Sequence, residues 1–274
     1  RRSPVAPPTA SAKWPTATTA PTRMTRARRS LVPVPSPVPA RGRSRIRTLA
    51  SRLARPVRNS DSAARTLIIG DVHGCAVELE RLVDAVQPTQ VVLVGDLFTK
   101  GPDPGGVWRQ IRNNGWLAVL GNQDERLLNA IDAKGTPKRK VAMCIAALNR
   151  EDSSWLAWLR ERPLFLEVAG VTVVHAGLHP RGRIEDTTRD MALNMRWFPM
   201  SDPDAPRWHE QYTGDRRVVF GHDARRGLVR HRRGLQTWLV GLDSGCVYGK
   251  QLSGYIVEED RIEQVKAAAT YQSV

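Results

Sequence analysis

The chain has 274 residues, enough for one large domain or two small ones, and a formal net charge of +15 that would suit a nucleic-acid or anionic membrane partner. That charge is lopsided: residues 1 to 60 hold thirteen Arg and one Lys with no acid, whereas from Asp61 onward 28 basic residues face 27 acidic ones. Three scattered cysteines, Cys75, Cys144 and Cys246, form no CxxC pair or disulfide framework, and no apolar run approaches the roughly 18 to 20 residues of a membrane span. These facts exclude a membrane partner and point to a reducing compartment, taken as cytoplasmic.

Residues 1–62 hold ten of the nineteen prolines and read as a disordered Pro/Arg-rich tail with polyproline II character, because such a segment buries too little apolar surface to offset its ordering entropy. Its Arg-rich, Ser/Thr-rich, acid-free composition also resembles an organellar transit segment, and only a genuine basic arm would bring in nucleic acid. The first residue is Arg rather than Met, which fits a fragment, a processed form or an over-extended translation. Residues 63–274 form the folded domain.

From Thr66 the pattern is α/β. Leu67 to Ile69, Val91 to Val94 and Leu117 to Leu120 are short apolar runs that read as strands, each ending in Gly plus a polar residue. Ala76, Leu79, Leu82, Val83 and Val86 keep helical spacing between the first two, and Gly106 to Asn113 is a shorter helical piece before the third. This is a βαβαβ half, which gathers turn residues at the carboxyl edge of a parallel sheet. Residues 124 to 162 read as mainly helical, with their tryptophans as packing groups. Leu164 to Val168 and Val171 to Val174 flank Ala169-Gly170 as a hairpin. After an irregular stretch come strands at Val218 to Phe220, Trp238 to Leu242, Val247 to Tyr248 and Gly254 to Val257, the last three completing the sheet.

The polar residues behind these runs are Asp71, His73, Asp96, Asn122, His175 and His222. Two carboxylates, three imidazoles and an amide oxygen, without a thiolate, suit Mn, Fe, Zn, Co or Ni, and they exceed what one open catalytic ion needs. A pair of ions bridged by Asp96 would bind phosphate oxygens and lower a shared water's pKa from about 15.7 to near 7, the chemistry of phosphoester or phosphoanhydride hydrolysis. The remaining histidines, His179, His209 and His231, sit in polar stretches.

The ordered set Gly70-Asp71-Val72-His73-Gly74, Gly95-Asp96 with Lys100-Gly101-Pro102, Gly121-Asn122, Val174-His175-Ala176-Gly177, Gly221-His222 and Gly241-Leu242-Asp243-Ser244-Gly245-Cys246-Val247-Tyr248-Gly249 resembles the calcineurin-like metallophosphoesterase superfamily. Within it the chain is similar to the bacterial phosphoprotein phosphatases and symmetrical diadenosine tetraphosphatases, over roughly residues 65 to 256. The resemblance implies a four-layer αββα sandwich, a central β-sandwich flanked by helices, with a dinuclear metal site at the sheet edge. It also implies a hydrolase using a metal-bridging hydroxide on a phosphorylated small molecule or protein. Asp71 and His73 would hold one divalent ion, Asp96 would bridge, and Asn122, His175 and His222 would hold the other, with Mn the metal to add in vitro. Lys100 and Arg196 would contact the phosphate.

Two positions depart from the family pattern. Gln123 stands where a histidine usually protonates the leaving oxygen, a loss worth ~10² to 10⁴ in rate. It favours anhydrides and aryl phosphates over phosphoserine, or else a weakened metal- and phosphate-binding module, unless Asp124 or Glu125 substitutes as acid. Lys100 replaces the Arg of eukaryotic relatives, giving a point charge without the bidentate fork. Arg225, Arg226, Arg230, Arg232 and Arg233 form either a solvated loop or a rim that attracts a polyanion.

Overall fold

The computed structural model describes residues 64–273. The Pro/Arg-rich tail, with the disorder, targeting and polyanion readings that fall on it, lies outside the described residues.

Strand β1 (Thr66–Ile69) is followed by helix α1 (Ala76–Val86), β2 (Gln90–Leu93), α2 (Pro104–Asn114) and β3 (Leu117–Ala118). The apolar spacing of α1 is the spacing of its buried face, since Ala76, Leu79, Leu82 and Val86 are all buried. Helix α2 starts two residues earlier than its apolar pattern suggests. The Asp103 carboxylate accepts the Gly106 N–H at 2.8 Å and Pro104 fills a first-turn position whose N–H would be orphaned anyway. Three helices follow, α3 (Asn122–Asp132), α4 (Arg139–Glu151) and α5 (Trp155–Arg160). Then come the hairpin β4 (Phe165–Val168) and β5 (Val171–Val174), α6 (Arg189–Asn194), β6 (Val218–Phe220), β7 (Val229–Arg233), β8 (Gln236–Gly241), β9 (Gln251–Ile256) and β10 (Arg261–Lys266).

The strands form two mixed sheets, in the orders β10-β9-β1-β2-β3 and β4-β5-β6-β8-β7. Strands β1, β2 and β3 run parallel, as do β5, β6 and β8. Side-chain alternation divides the core. Ile68, Val92, Val94 and Val119 of the first sheet meet Val171, Val173, Val219 and Val240 of the second. Their neighbours Leu67, Ile69, Val91 and Leu93 point the other way, onto α1, α2 and α4 with Trp108 and Trp155. The outer face of the second sheet carries a thinner cover, in which Val174, Val218, Phe220 and Leu239 pack under Ala192 and Met195 of the α6 region and under Trp208.

Three expectations need correction. The late strands do not complete one sheet: β8 belongs to the second, while β9 returns to lie antiparallel to β1 in the first. Val247 and Tyr248 lie in a 3-10 turn, Cys246–Tyr248, flanked by Gly245 and Gly249 at φ 74° and 82°. The basic run is partly strand: Val229–Arg233 forms β7, an edge strand whose charges face solvent. Its lack of apolar alternation hid it, as it hid β10 at the edge of the first sheet. Among the described residues, no helix is long and apolar enough to cross a membrane.

Candidate active site

Every residue singled out as a ligand sits at or just past the carboxyl end of a parallel strand. Asp71 and His73 follow β1, Asp96 follows β2, Asn122 opens α3 after β3, His175 follows β5 and His222 follows β6. All six are buried. Three of the six have locally strained backbones: His73, Asp96 and His222 have φ of 47°, 54° and 73°, and nearby Lys100 has 74°, in the left-handed region that non-glycine residues seldom occupy. Backbone strain of this kind clusters at functional sites because the surrounding fold must hold it.

The structure brings the six together around Asp96. Its Oδ2 lies 3.5 Å from His73 Nε2, and its Oδ1 lies 3.5 Å from His175 Nε2 while accepting the Gln123 N–H at 2.8 Å. Asp71 Oδ2 is 4.0 Å from His73 Nε2, and Asp71 Oδ1 accepts the His222 N–H at 3.0 Å, tying the two sheets together at this edge. Gly221 is required at that tie, because a Cβ there would occupy the space of Asp71 Oδ1. Asn194 of α6 positions two more groups. Its Oδ1 accepts from Asn122 Nδ2 at 3.0 Å, and its carbonyl lies 3.2 Å from His222 Nε2. That contact needs a donor, so the His222 lone pair is on Nδ1.

Burial sets the electrostatics. It pushes the Asp71 carboxyl well up, helped by the charges of Asp243 and Asp96, and raises Asp96 to about 6 and Asp243 to about 7. The same desolvation drives His73 and His222 well down and His175 to about 4, so all three imidazoles are neutral. The Lys100 ammonium, 3.0 Å from His73 Nε2, draws all three carboxyls back down.

These residues fit divalent cations. His175 Nδ1 lies 2.9 Å from the Val94 carbonyl and so carries the hydrogen, which leaves Nε2 as a lone pair. That nitrogen is buried without a hydrogen-bond partner and faces Asp96. Ligand atoms of Asp71, His73 and Asp96 lie within 4.8 Å of one another, and cations would relieve the repulsion among carboxylates that the Lys100 ammonium offsets only in part.

A cavity of about 620 Å³ opens on this cluster, and its lining includes Lys100, Gln123, Arg196, Arg207, Arg225, Tyr248 and Lys250. Lys100 also donates to the Tyr248 hydroxyl at 3.3 Å. Arg196 and Arg207 share Asp223, at 3.6 and 2.8 Å. The basic run divides: Arg225 lines the cavity, whereas Arg226 pairs with Glu210, Arg230 and Arg232 with Asp260, and Arg233 with Asp215. A second cavity of about 580 Å³, bordered by Glu80, Asp84, Gln110 and Trp116, gathers no comparable chemistry.

Gln123 lies at the cavity wall and its Nε2 donates to Asn122 Oδ1 at 3.2 Å. Neither neighbouring acid, Asp124 or Glu125, is among the residues lining the cavity, so the geometry lends no support to either as a substitute acid. Asp124 is buried and turned away, accepting the N–H groups of Asp96, Leu97 and Gly121 at 2.7, 3.0 and 3.1 Å. Glu125 pairs with Arg189 at 2.7 Å on the exposed side of α3. The sequence reading missed Asn194, Tyr248 and Asp243 as site residues. Asp243 carried a usable signal, since it stands two residues beyond the end of β8 as Asp71 stands two beyond β1.

Two facing mixed sheets with this cluster at their shared edge define the class. Residues 64–241 match the family model of the calcineurin-like phosphoesterases, and the chain belongs to that family. Among its relatives, the symmetrical bis(5'-nucleosyl)-tetraphosphatase of Janthinobacterium sp. (strain Marseille) is 28% identical over 269 residues, covering 73% of this chain and 96% of that protein. The protein of the same name from Aeromonas salmonicida (strain A449) is 32% identical over 178 residues, 62% of this chain and 64% of its own. A crystal structure described as a candidate diadenosine tetraphosphatase is 32% identical with a TM-score of 0.63, covering 76% of this chain and 95% of its own.

Proposed function

We propose that the chain is a metal-dependent phosphohydrolase whose substrate is a phosphoanhydride of the diadenosine polyphosphate class. The observation that carries this reading is Asp96 facing imidazoles on both sides, at the floor of a cavity whose walls are basic. Asp71, His73 and Asp96 would hold one divalent cation, and Asp96, Asn122, His175 and His222 a second. Such a pair, when bound, supplies charge neutralisation of phosphoryl oxygens and acidification of water.

The chain's own residues do the rest. Lys100 and Arg196 place positive charge over the phosphoryl group to be transferred. Arg225 and Lys250, which make no ion pair among the described residues, reach for phosphates farther along the chain. Gln123 can hold an oxygen by a hydrogen bond but has no proton to give. A nucleoside polyphosphate leaves without one, whereas a seryl alkoxide does not, and this selects the anhydride. The tetraphosphatase relatives support the same substrate class.

The test is turnover of diadenosine tetraphosphate, p-nitrophenyl phosphate and a phosphoserine peptide with added Mn²⁺, for wild type and Asp96→Asn. The tetraphosphate is expected to be turned over fastest, with activity lost in Asp96→Asn. Equal turnover of phosphoserine peptide and tetraphosphate would refute the substrate class. Absence of all turnover, with tetraphosphate still bound, would favour the weakened binding module that Gln123 also suits.

A further inference from the structure

Beneath the turn that carries Asp71 and His73 lies a second group of metal-ligating side chains that the hydrolase reading does not use. Cys75, Glu78 and Cys246 each offer a ligand atom within 4.8 Å of the other two. All three are buried, at 0%, 0% and 1% exposure, and both cysteines are free thiols. The Glu78 carboxylate is only half satisfied. Its Oε1 accepts the Ala268 N–H and the Tyr271 O–H, each at 2.8 Å, while Oε2 is buried with no hydrogen-bond partner. A buried carboxylate oxygen without a donor is costly, and no cationic side chain pairs with Glu78 among the described residues. Cys144, the remaining cysteine, lies apart with its Sγ 3.7 Å from the Phe98 carbonyl.

We propose that Cys75, Glu78 and Cys246 form a separate binding site for a thiophilic divalent cation of the Zn²⁺ class. Two sulfurs and one carboxylate oxygen are a soft donor set that discriminates against the harder ions suited to the sulfur-free cluster above it. On binding, both thiols transfer their protons to solvent and the ion takes two thiolates and the Glu78 carboxylate as ligands. Three parts of the chain would be joined. Cys75 adjoins the His73 turn, Cys246 follows Asp243 by three residues, and Glu78 holds the C-terminal segment through Ala268 and Tyr271. That segment covers the site and is its way in. Besides its bonds to Glu78 it is secured there by the Tyr271 and Gln272 N–H groups on the Val247 carbonyl, bonds that local opening releases. The ion's role is to brace the turns on which Asp71, His73 and Asp243 stand.

The experiment is a titration of the reduced, metal-free full chain with Cd²⁺, read by the ultraviolet thiolate-to-cadmium charge-transfer band. The catalytic cluster has no sulfur and is silent in that band. Wild type is expected to saturate it at one ion per chain, and Asp96→Asn to keep it. Cys246→Ser is expected to lose it, and Glu78→Gln to bind at least tenfold more weakly. A folding failure in the variants is bypassed by a measurement on wild type, in which Cd²⁺ should slow alkylation of Cys75 and Cys246 but not of Cys144. No band in wild type, a band that survives Cys246→Ser, unchanged affinity in Glu78→Gln, or equal alkylation of all three thiols with and without Cd²⁺ would each overturn the proposal.

Discussion

Asp124→Ala tests whether the buried acid beside Gln123 is an architectural group or a reactive one. In the folded chain its carboxylate is the acceptor for three N–H groups, those of Asp96, Leu97 and Gly121, and it is 0% exposed. Removing it orphans three buried donors at about 1 to 3 kcal/mol each. A water entering the space would recover part of that loss, so the expected destabilisation is about 3 to 6 kcal/mol. This is a large share of the 5 to 15 kcal/mol typical of a domain. With an m-value of roughly 2 kcal/mol/M in urea, the unfolding midpoint should fall by about 1.5 to 3 M. Asp124→Asn keeps one carbonyl acceptor and should fall between the two. A loss below about 1 kcal/mol in Asp124→Ala would refute the assignment. So would an Asp124→Asn protein of unchanged stability whose turnover dropped by the ~10² to 10⁴ expected of a lost general acid.

Gln123→His should restore a proton donor at the cavity wall and raise phosphoserine-peptide turnover by about 10²-fold or more, with little change for diadenosine tetraphosphate; equal gains on both would contradict the leaving-group argument. Arg225→Ala and Lys250→Ala should raise KM for the tetraphosphate several-fold while sparing p-nitrophenyl phosphate, which has no distal phosphates to hold, and a parallel change on both substrates would deny them that role. Dialysis against a chelator should abolish turnover and lower the melting temperature, with Mn²⁺ restoring both, because Asp71, Asp96 and Asp243 are buried close together; a melting temperature indifferent to metal would argue against ion binding at this cluster. His209 is held to about 4 by burial and by His231, whose Nε2 is 3.2 Å away. Its folded pKa lies below its unfolded value of about 6.5, so its contribution is present above pH 6.5 and is lost as pH falls toward 4. Urea unfolding at pH 7.5 and 5 should therefore show a steeper acid loss in wild type than in His209→Gln, and identical slopes would refute it.

The six candidate ligands were legible because each stands where an apolar run ends, and that is a local property. Leu67 to Ile69 and Val91 to Val94 announce buried parallel strands, and Asp71 and Asp96 follow them by one short turn. What joins the site across the fold was not legible. Nothing near Asn194 in the sequence indicates that its carbonyl and side chain meet His222 and Asn122, since α6 is a single capped turn and a half in an irregular stretch. Asp124 entered only as an alternative acid, because sequence adjacency to Gln123 does not say which way its side chain points. On α3 the side chain next to Gln123 points to a different face, and there it meets backbone donors. Strands β7 and β10 were missed because edge position frees them from alternation, so pairing partners rather than their own residues define them.

The return of β9 to the side of β1 has a consequence for synthesis. Asp71 leaves the ribosome about 170 residues before Asp243, an interval of roughly 10 to 30 s at ordinary elongation rates. During it, β1 can pair with β2 but its other edge is bare, because the partner for Leu67, Ile68 and Ile69 is Gly254 to Ile256. A message cut short after His222 would encode all six candidate ligands and yet deliver a sheet whose strand β1 has one edge unpaired. Such a product is a substrate for chaperones and proteases, so the segment from Gly254 to Ile256 acts as the checkpoint for the first motif.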